Sequence, residues 1–384
     1  MKEFFKYIVE SELSFFAKAL IKKFRPYIIG VTGSSGKTTV KYMIAQLLRA
    51  SGKKVLGSSS NLNTKMGIPM YLLGYKDSPK NIFDWIKVAL AVPFKYLSIT
   101  SYPKYVVCEY AADRPGDIKE LLEIIKPQIS IITNIGLAHI EIFKSVEKIA
   151  EEKWALAAAT EEKVIISSVD LKKIKDKVTR ADVVTLEKSP ISVLDKKMLP
   201  NKTEITLGLF DKKIQTHTKF LGIHNIVNIK MALTVCYFAG CDFVKMVKAI
   251  EKFEPLIGRG KRIIGRREVV IIDESYNANP LSMMAALDNL RYTKYGRKVA
   301  VLGRMAEIGP ISHRSHQEIA IYARKSSDFT VGVGDEFREF GLDKWYPSVE
   351  ELIKDTEILI KKGDIVLVKG SHTVGLEKFV EKLI

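Results

Sequence analysis

The sequence predicts an α/β protein: a P-loop central domain with a mostly parallel sheet, followed by a smaller, Rossmann-like C-terminal α/β domain. Three observations predict it. The stretch Gly30-Val31-Thr32-Gly33-Ser34-Ser35-Gly36-Lys37-Thr38-Thr39 lies between the apolar run Tyr27-Ile28-Ile29 and a helical pattern reaching Leu48, the order of a strand, a phosphate loop and a helix. Up to about residue 257, short β-type runs at 105–108, 129–132 and 164–166 alternate with periodic helices. After Gly258 a second series begins, with strands at 269–272, 298–302, 329–333 and 365–368.

Residues 1–24 place Ile8-Val9, Leu13, Phe15-Phe16 and Leu20-Ile21 among charges and lack the small-residue cleavage site of a signal peptide. This is an amphipathic helix. Such a helix caps a core, and Lys18, Lys22, Lys23 and Arg25 also suit weak contact with a membrane surface. In the loop that follows, the glycines let the backbone of Gly33, Ser34, Ser35 and Gly36 turn its amides toward phosphate oxygens, and the helix start adds its positive dipole end. Lys37 reaches the outer phosphates, Thr38 can hold Mg²⁺, and Thr39 continues the helix start. The spacing departs from the common G-x-x-x-x-G-K-[ST] form, because Val31 takes the first glycine position and Gly33 comes later.

An insert at 75–104 with Trp85, Phe94 and Tyr96 reads as a helical core excursion or as an added acceptor-side or membrane-side surface. Glu109 ends an apolar strand, where ligands of parallel sheets gather, and a Mg²⁺ role follows from that place. His139 lies beyond the end of the 129–132 strand; alone, a histidine there is more often structural than functional. Lys153 falls in a helix at 149–158, where a lysine reads as part of a solvated face. Polar and apolar residues alternate at 204–220 around Asp211-Lys212-Lys213, an antiparallel hairpin attached to the central domain. Pro255-Leu256-Ile257-Gly258 interrupts both patterns and reads as a hinge. The expected domains are therefore 1–24, 25–257 and 258–384.

Composition narrows the functional class. A length of 384 residues with 47% hydrophobic content leaves room for more than one core. The most apolar stretch, 82–97, is broken by Asp84, Lys87 and Lys95, so it offers no run of about 18 apolar residues for a membrane span. Cys108, Cys236 and Cys241 have no Cys-x-x-Cys spacing and an odd total, which disfavours a disulfide framework or a zinc site and fits a reducing cytoplasm. Sixty-one basic against 44 acidic residues give +17, suited to polyanionic substrates such as nucleotides. The same charge would suit a nucleotide switch on nucleic acid, but that needs basic residues and aromatics clustered on one face.

Read together, the segments resemble the Mur ligase family of ATP-dependent amide-forming enzymes, whose phosphate loop has the same Gly-x-x-Gly-x-x-Gly-Lys-Thr-Thr form. Further matches follow in order: Asn61-Leu62-Asn63-Thr64-Lys65-Met66-Gly67-Ile68-Pro69; Glu109 through Asp117-Ile118; Thr133 to His139 with Glu141; Gly222-Ile223-His224-Asn225-Ile226-Val227-Asn228; and Asp273-Glu274-Ser275-Tyr276-Asn277-Ala278-Asn279-Pro280. The last string, with Lys369-Gly370-Ser371, looks most like the MurF type, which adds D-alanyl-D-alanine to a nucleotide-linked muramoyl tripeptide.

The resemblance implies roles. Glu109, His139 and Thr38 would hold two Mg²⁺ ions with ATP, and Lys37 would support the same phosphate oxygens. Lys153 falls where the family carries a lysine carbamylated by CO₂, although the family's Lys-Gly-Glu reads Lys153-Trp154-Ala155 here. His224, Asn225 and Asn228 match the stretch around adenine, Asp273 would accept from the ribose hydroxyls, and Arg259 would contact the γ-phosphate, with closure before chemistry. Asn61, Asn63, Asn277, Asn279 and Lys369 are the substrate candidates, the amine being expected at the C-terminal domain. The implied reaction phosphorylates a carboxylate with ATP, and the amine of an amino acid or dipeptide then attacks the acyl phosphate. The family's N-terminal domain, which grips the uridine nucleotide, is not expected in the short segment before the loop. Either the amphipathic segment and basic surface replace it, or the acceptor is another carboxylate, such as a cofactor precursor or an archaeal wall peptide. A cytoplasmic monomer that does not bind nucleic acid is expected.

Overall fold

β1 (Tyr27–Thr32) is buried from its second residue onward, as a strand covered on both faces must be. It sits inside a six-stranded parallel sheet with β2 (Val55–Leu56), β3 (Tyr105–Glu109), β4 (Ile129–Ile132), β5 (Lys163–Ile166) and β6 (Asp182–Thr185), in the order β2-β3-β1-β4-β5-β6. The register pairs Val31 with Glu109 on one side and with Ile131 on the other, so the phosphate loop leaves the sheet beside the ends of β3 and β4. This is a computed structural model, and it describes residues 2–57, 62–79, 81–199, 202–293 and 296–384. Asn61 lies outside the described residues.

Contact density divides the chain into two units, one of residues 1–135, 142–190 and 229–246, the other of residues 136–141, 191–228 and 247–384. In the first, α1 (Lys2–Phe24) buries Val9, Leu13, Ala17 and Leu20, a three-to-four-residue spacing that caps the core as its periodicity predicts. α2 (Lys37–Ala50) follows the phosphate loop, α3 (Gly67–Leu72) is short, and α4 (Ile82–Ser98) is the helical insert, capped by Asn81, whose side chain accepts from the Asp84 amide at 3.0 Å. α5 (Asp117–Leu122) precedes β4; α6 (Ile140–Phe143), α7 (Val146–Ala158) and α8 (Ser168–Leu171) follow it. No helix among the described residues is long and apolar enough to cross a membrane.

The second unit holds two sheets. β7 (Ile191–Met198), β8 (Thr203–Leu209) and β9 (Lys212–Thr218) form an antiparallel meander, so the expected hairpin carries a third strand. β7 escaped detection because its outer half is polar and exposed, which leaves no apolar run. α9 (Ile223–Phe238) and α10 (Phe243–Ile250) come next. The other sheet runs β10 (Lys261–Ile264), β11 (Val270–Glu274), β15 (Ile365–Lys369), β12 (Lys298–Gly303), β13 (Phe329–Val333) and β14 (Lys344–Tyr346). All pairs are parallel except β10 with β11. Inserting β15 between β11 and β12 creates the change of winding direction at which α/β sheets place ligands, beyond the strands' carboxyl ends. α11 (Pro280–Arg291) and α12 (Ser312–Ser326) cover this sheet between β11 and β13.

Candidate active site

In the first unit the chemistry gathers around Glu109. The last residue of β3, it accepts from Thr38 Oγ1 at 2.9 Å and Asn63 Nδ2 at 3.1 Å, and its Oε2 lies 3.2 Å from Lys41 Nζ. Glu109, Thr38 and Lys41 are all buried. The expected Mg²⁺ pair, Thr38 with Glu109, is thus in contact, and Asn63 joins it. Lys41 was missed. Three residues after Thr38 on a helix, it shares that residue's face, and this spacing was the signal that could have found it.

The loop is shaped by two glycines and by the end of β4. Gly36, at φ 78°, caps α2 in the left-handed region, and Gly33 sits at φ 147°. Ser34 N donates to the Asn134 carbonyl at 3.0 Å, Ser35 N donates to Asn134 Oδ1 at 3.0 Å, and Thr133 Oγ1 donates to the Ser35 carbonyl at 2.5 Å. Lys37 Nζ folds onto the Gly33 carbonyl at 2.7 Å. A Cβ on Gly33 would stand 1.9 Å from Thr133 Oγ1 and 3.1 Å from its backbone nitrogen. Gly33→Ala should therefore cost at least about 1–2 kcal/mol of stability and weaken ATP binding, which a melting curve with and without ATP will read.

Lys153 corrects the reading of a solvated face, for on α7 it is only 4% exposed. Burial and then the nearby positive charge of Lys37 lower its pKa to about 7, against the opposing pull of Glu152 and Asp113. Glu152, also missed, accepts from the amides of Gly116 at 2.7 Å and Ile118 at 2.8 Å and so anchors the start of α5.

In the second unit, His139 has a left-handed backbone at φ 54°, and its Nδ1 lies 2.7 Å from Oε2 of Glu307. Asp273, buried at the carboxyl end of β11, accepts from Gly258 N at 2.8 Å and from Ser275 N and Oγ at 3.1 and 2.6 Å. Three of its roughly four acceptor positions are engaged, leaving one for a hydroxyl. The Arg259 guanidinium stacks 4.0 Å from the Tyr276 ring centre, which fixes its direction. Lys369, buried at the end of β15, bonds Glu274 at 3.1 Å and the Asn277 carbonyl at 2.9 Å, so the Asp273 to Pro280 string folds around a buried ion pair. Asn277 Oδ1 accepts from Ala278 N, and Asn279 caps α11 reciprocally with Ser282.

At the start of α9, Asn225 Nδ2 donates to the Leu221 carbonyl at 2.8 Å, and Asn228 Nδ2 donates to Asn225 Oδ1 at 3.3 Å. Desolvation, the leading cause, lowers the His224 pKa and favours the neutral ring; Lys369 adds to this while Glu274 and Asp288 oppose it. A neutral imidazole next to two amides presents both donors and acceptors, the groups needed to read the edge of a base.

The residues present fit Mg²⁺. Among the described residues no three His, Cys, Asp or Glu side chains cluster as a metal cage. Magnesium with a nucleotide needs none, since one or two protein oxygens and the phosphates suffice, and the Thr38 hydroxyl and Glu109 carboxylate are such oxygens.

The family model described as the Mur ligase middle domain matches residues 31–236, and that of the Mur ligase glutamate ligase domain matches 258–372. UDP-N-acetylmuramoyl-tripeptide--D-alanyl-D-alanine ligase of Buchnera aphidicola is 30% identical, the match covering 94% of this chain and 78% of that protein. The Treponema pallidum enzyme of the same name is 29% identical over 93% of this chain and 74% of its own length. The crystal structure of MurF ligase from Thermotoga maritima in complex with ADP superposes with a TM-score of 0.81 at 26% identity, over 97% of this chain and 83% of that one. The odd glycine spacing of the phosphate loop and the Asp273 to Pro280 string thus have one explanation: the chain belongs to the Mur ligase family.

Proposed function

We propose that this chain is an ATP-dependent carboxylate–amine ligase of the MurF type, joining D-alanyl-D-alanine or a similar amine to the carboxylate of a nucleotide-linked cell-wall peptide. The observation that carries this reading is the buried contact of Thr38 with Glu109 directly beneath the phosphate loop. A carboxylate is a poor electrophile, and transfer of the γ-phosphoryl group to it creates a good leaving group for attack by the amine. Thr38 and Glu109 would hold Mg²⁺, which would supply charge neutralisation on the phosphates; His139 and a carbamylated Lys153 are proposed as further ligands.

The chain's own residues do the rest. Lys37 would orient the outer phosphates, Arg259, stacked on Tyr276, would contact the γ-phosphate, His224, Asn225 and Asn228 would read adenine, and Asp273 would accept from the ribose. Asn63, Asn277, Asn279 and Lys369 serve the substrates, Asn279 and Lys369 mainly by holding the backbone that meets them. The domains act as 1–24, 25–257 and 258–384, in a cytoplasmic monomer with α1 in weak contact with a membrane surface.

Phosphate release tests the reading: turnover should require ATP, a UDP-linked tripeptide and D-alanyl-D-alanine together. Release that never depends on a carboxylate and an amine would overturn it. Lys37→Ala should lower kcat by about 10²–10³ or more while leaving the melting temperature nearly unchanged, because this side chain bonds the loop's own carbonyl in a partly exposed position.

A further inference from the structure

Helix α4 is apolar on two opposite sides, separated along one flank by Asp84, Lys87, Lys95 and Ser98. Val88 and Val92 are buried on one side, where Tyr96 meets Phe16 of α1 with ring centroids 5.3 Å apart. The opposite stripe carries Phe83, Ile86, Leu90, Phe94 and Leu97, spaced three or four residues apart along one face. Four of these, Phe83, Leu90, Phe94 and Leu97, are 70–74% exposed. From α1, Phe15 is 67% exposed and edges Phe16, extending apolar surface from the neighbouring helix. A helix apolar on both sides expects cover on both sides, and among the described residues one side has none.

The charges around this face name what covers it. Among residues 6–26 and 81–104, every charged residue that is exposed is basic, Lys18, Lys22 and Lys104 among them, with Lys87 3.8 Å from Asp84. The acidic residues there, Glu10, Glu12 and Asp84, are half-buried. Glu10 pairs with Lys65 at 2.6 Å, and Asp84 accepts from Asn81 at 2.8 Å. A second copy docking by the same face would set these lysines against their own counterparts, an uncompensated repulsion. The face is also a convex helical ridge, which suits a deformable surface. Long lysine stems can lie along such a ridge while their ammonium groups reach anionic headgroups.

We propose that the exposed face of α4, with the adjoining part of α1, lies on an anionic lipid surface. The apolar stripe enters the headgroup boundary and the lysines supply an attraction that falls off within a Debye length of about 8 Å. This locates the weak membrane contact expected of α1, and it does not depend on the ligase activity, which is measured separately.

The test is vesicle flotation of the full chain with phosphatidylglycerol-containing and purely phosphatidylcholine vesicles. Binding should favour the anionic vesicles by about tenfold or more and weaken with salt. The double variant Leu90→Glu with Phe94→Glu should lose about tenfold or more of that binding, with circular dichroism and ATP turnover in solution unchanged, since both side chains point to solvent. A second variant, Lys18→Glu with Lys22→Glu, should lose the preference for anionic lipid and leave residual binding to both vesicles. Absence of flotation, equal flotation of wild type and the Leu90/Phe94 variant, or a wild-type dimer in sedimentation that this variant dissociates would each overturn the proposal.

Discussion

Glu109→Ala is expected to abolish turnover, with kcat falling by about 10²–10³ or more, and at the same time to lower stability by about 3–5 kcal/mol. The two losses have different origins. The first follows from the carboxylate bound to Thr38, the oxygen pair that suits Mg²⁺ beneath the phosphates. The second follows from Lys41, which is 4% exposed on its side chain and would lose the carboxylate 3.2 Å from its ammonium. Glu109→Gln separates them. It keeps the shape and an acceptor for Thr38 but no charge for Lys41, so only part of the stability should return, while a neutral amide remains a poor ligand for a hard cation and turnover stays low. Melting curves and phosphate release on both variants make the comparison, and unchanged turnover in Glu109→Ala would remove Glu109 from the site.

The second large effect concerns Lys153. Its pKa of about 7 in the folded chain is below the ordinary 10.5, so the unfolded chain binds more protons between those values. Stability should therefore rise with pH across that window, and the cost of burying the ammonium should be fully present below about pH 7. Lys153→Met should raise the melting temperature at pH 6 to 7, by an amount that shrinks toward pH 10.5, and yet lose turnover. The same lowering keeps much of the amine neutral near pH 7, the form able to attack CO₂; a nitrogen–carbon bond forms, a proton leaves, and a carboxylate replaces a cation. Intact-mass measurement of the active enzyme should find the added CO₂ where conditions preserve it, and short carboxylic acids should restore part of the turnover of Lys153→Ala. An unmodified amine in the active enzyme, with no such rescue, would remove the carbamate.

The residues that could be read directly were those whose local pattern forces a backbone. Gly33 and Gly36 had to be glycines, and both take positive φ; Glu109 had to end an apolar strand, and it does. Residues whose role depends on what packs above them gave little local signal, and Lys153 entered only through the family resemblance. Lys41 and Lys153 look like ordinary helical lysines, and only the fold shows that each points inward, one to a carboxylate and one into a desolvated place beside another lysine. Strands were legible where both faces are buried, as in β1 and β12, and missed where consecutive residues are polar and exposed, as in the outer half of β7. β10 escaped for a related reason: four residues beginning Lys261-Arg262 on a sheet edge carry little apolar signal.

Asn134 holds Ser35 from 99 positions away along the chain. The loop's shape is therefore a property of the assembled sheet and cannot exist in an isolated strand-loop-helix fragment. Contacts of such separation form late, after the entropy of closing a long segment has been overcome. ATP should then recognise the finished fold and ignore earlier, partly paired states, so that nucleotide concentration slows unfolding more than it speeds folding. In this enzyme, the ability to hold a nucleotide is itself a report that β1 and β4 have found each other.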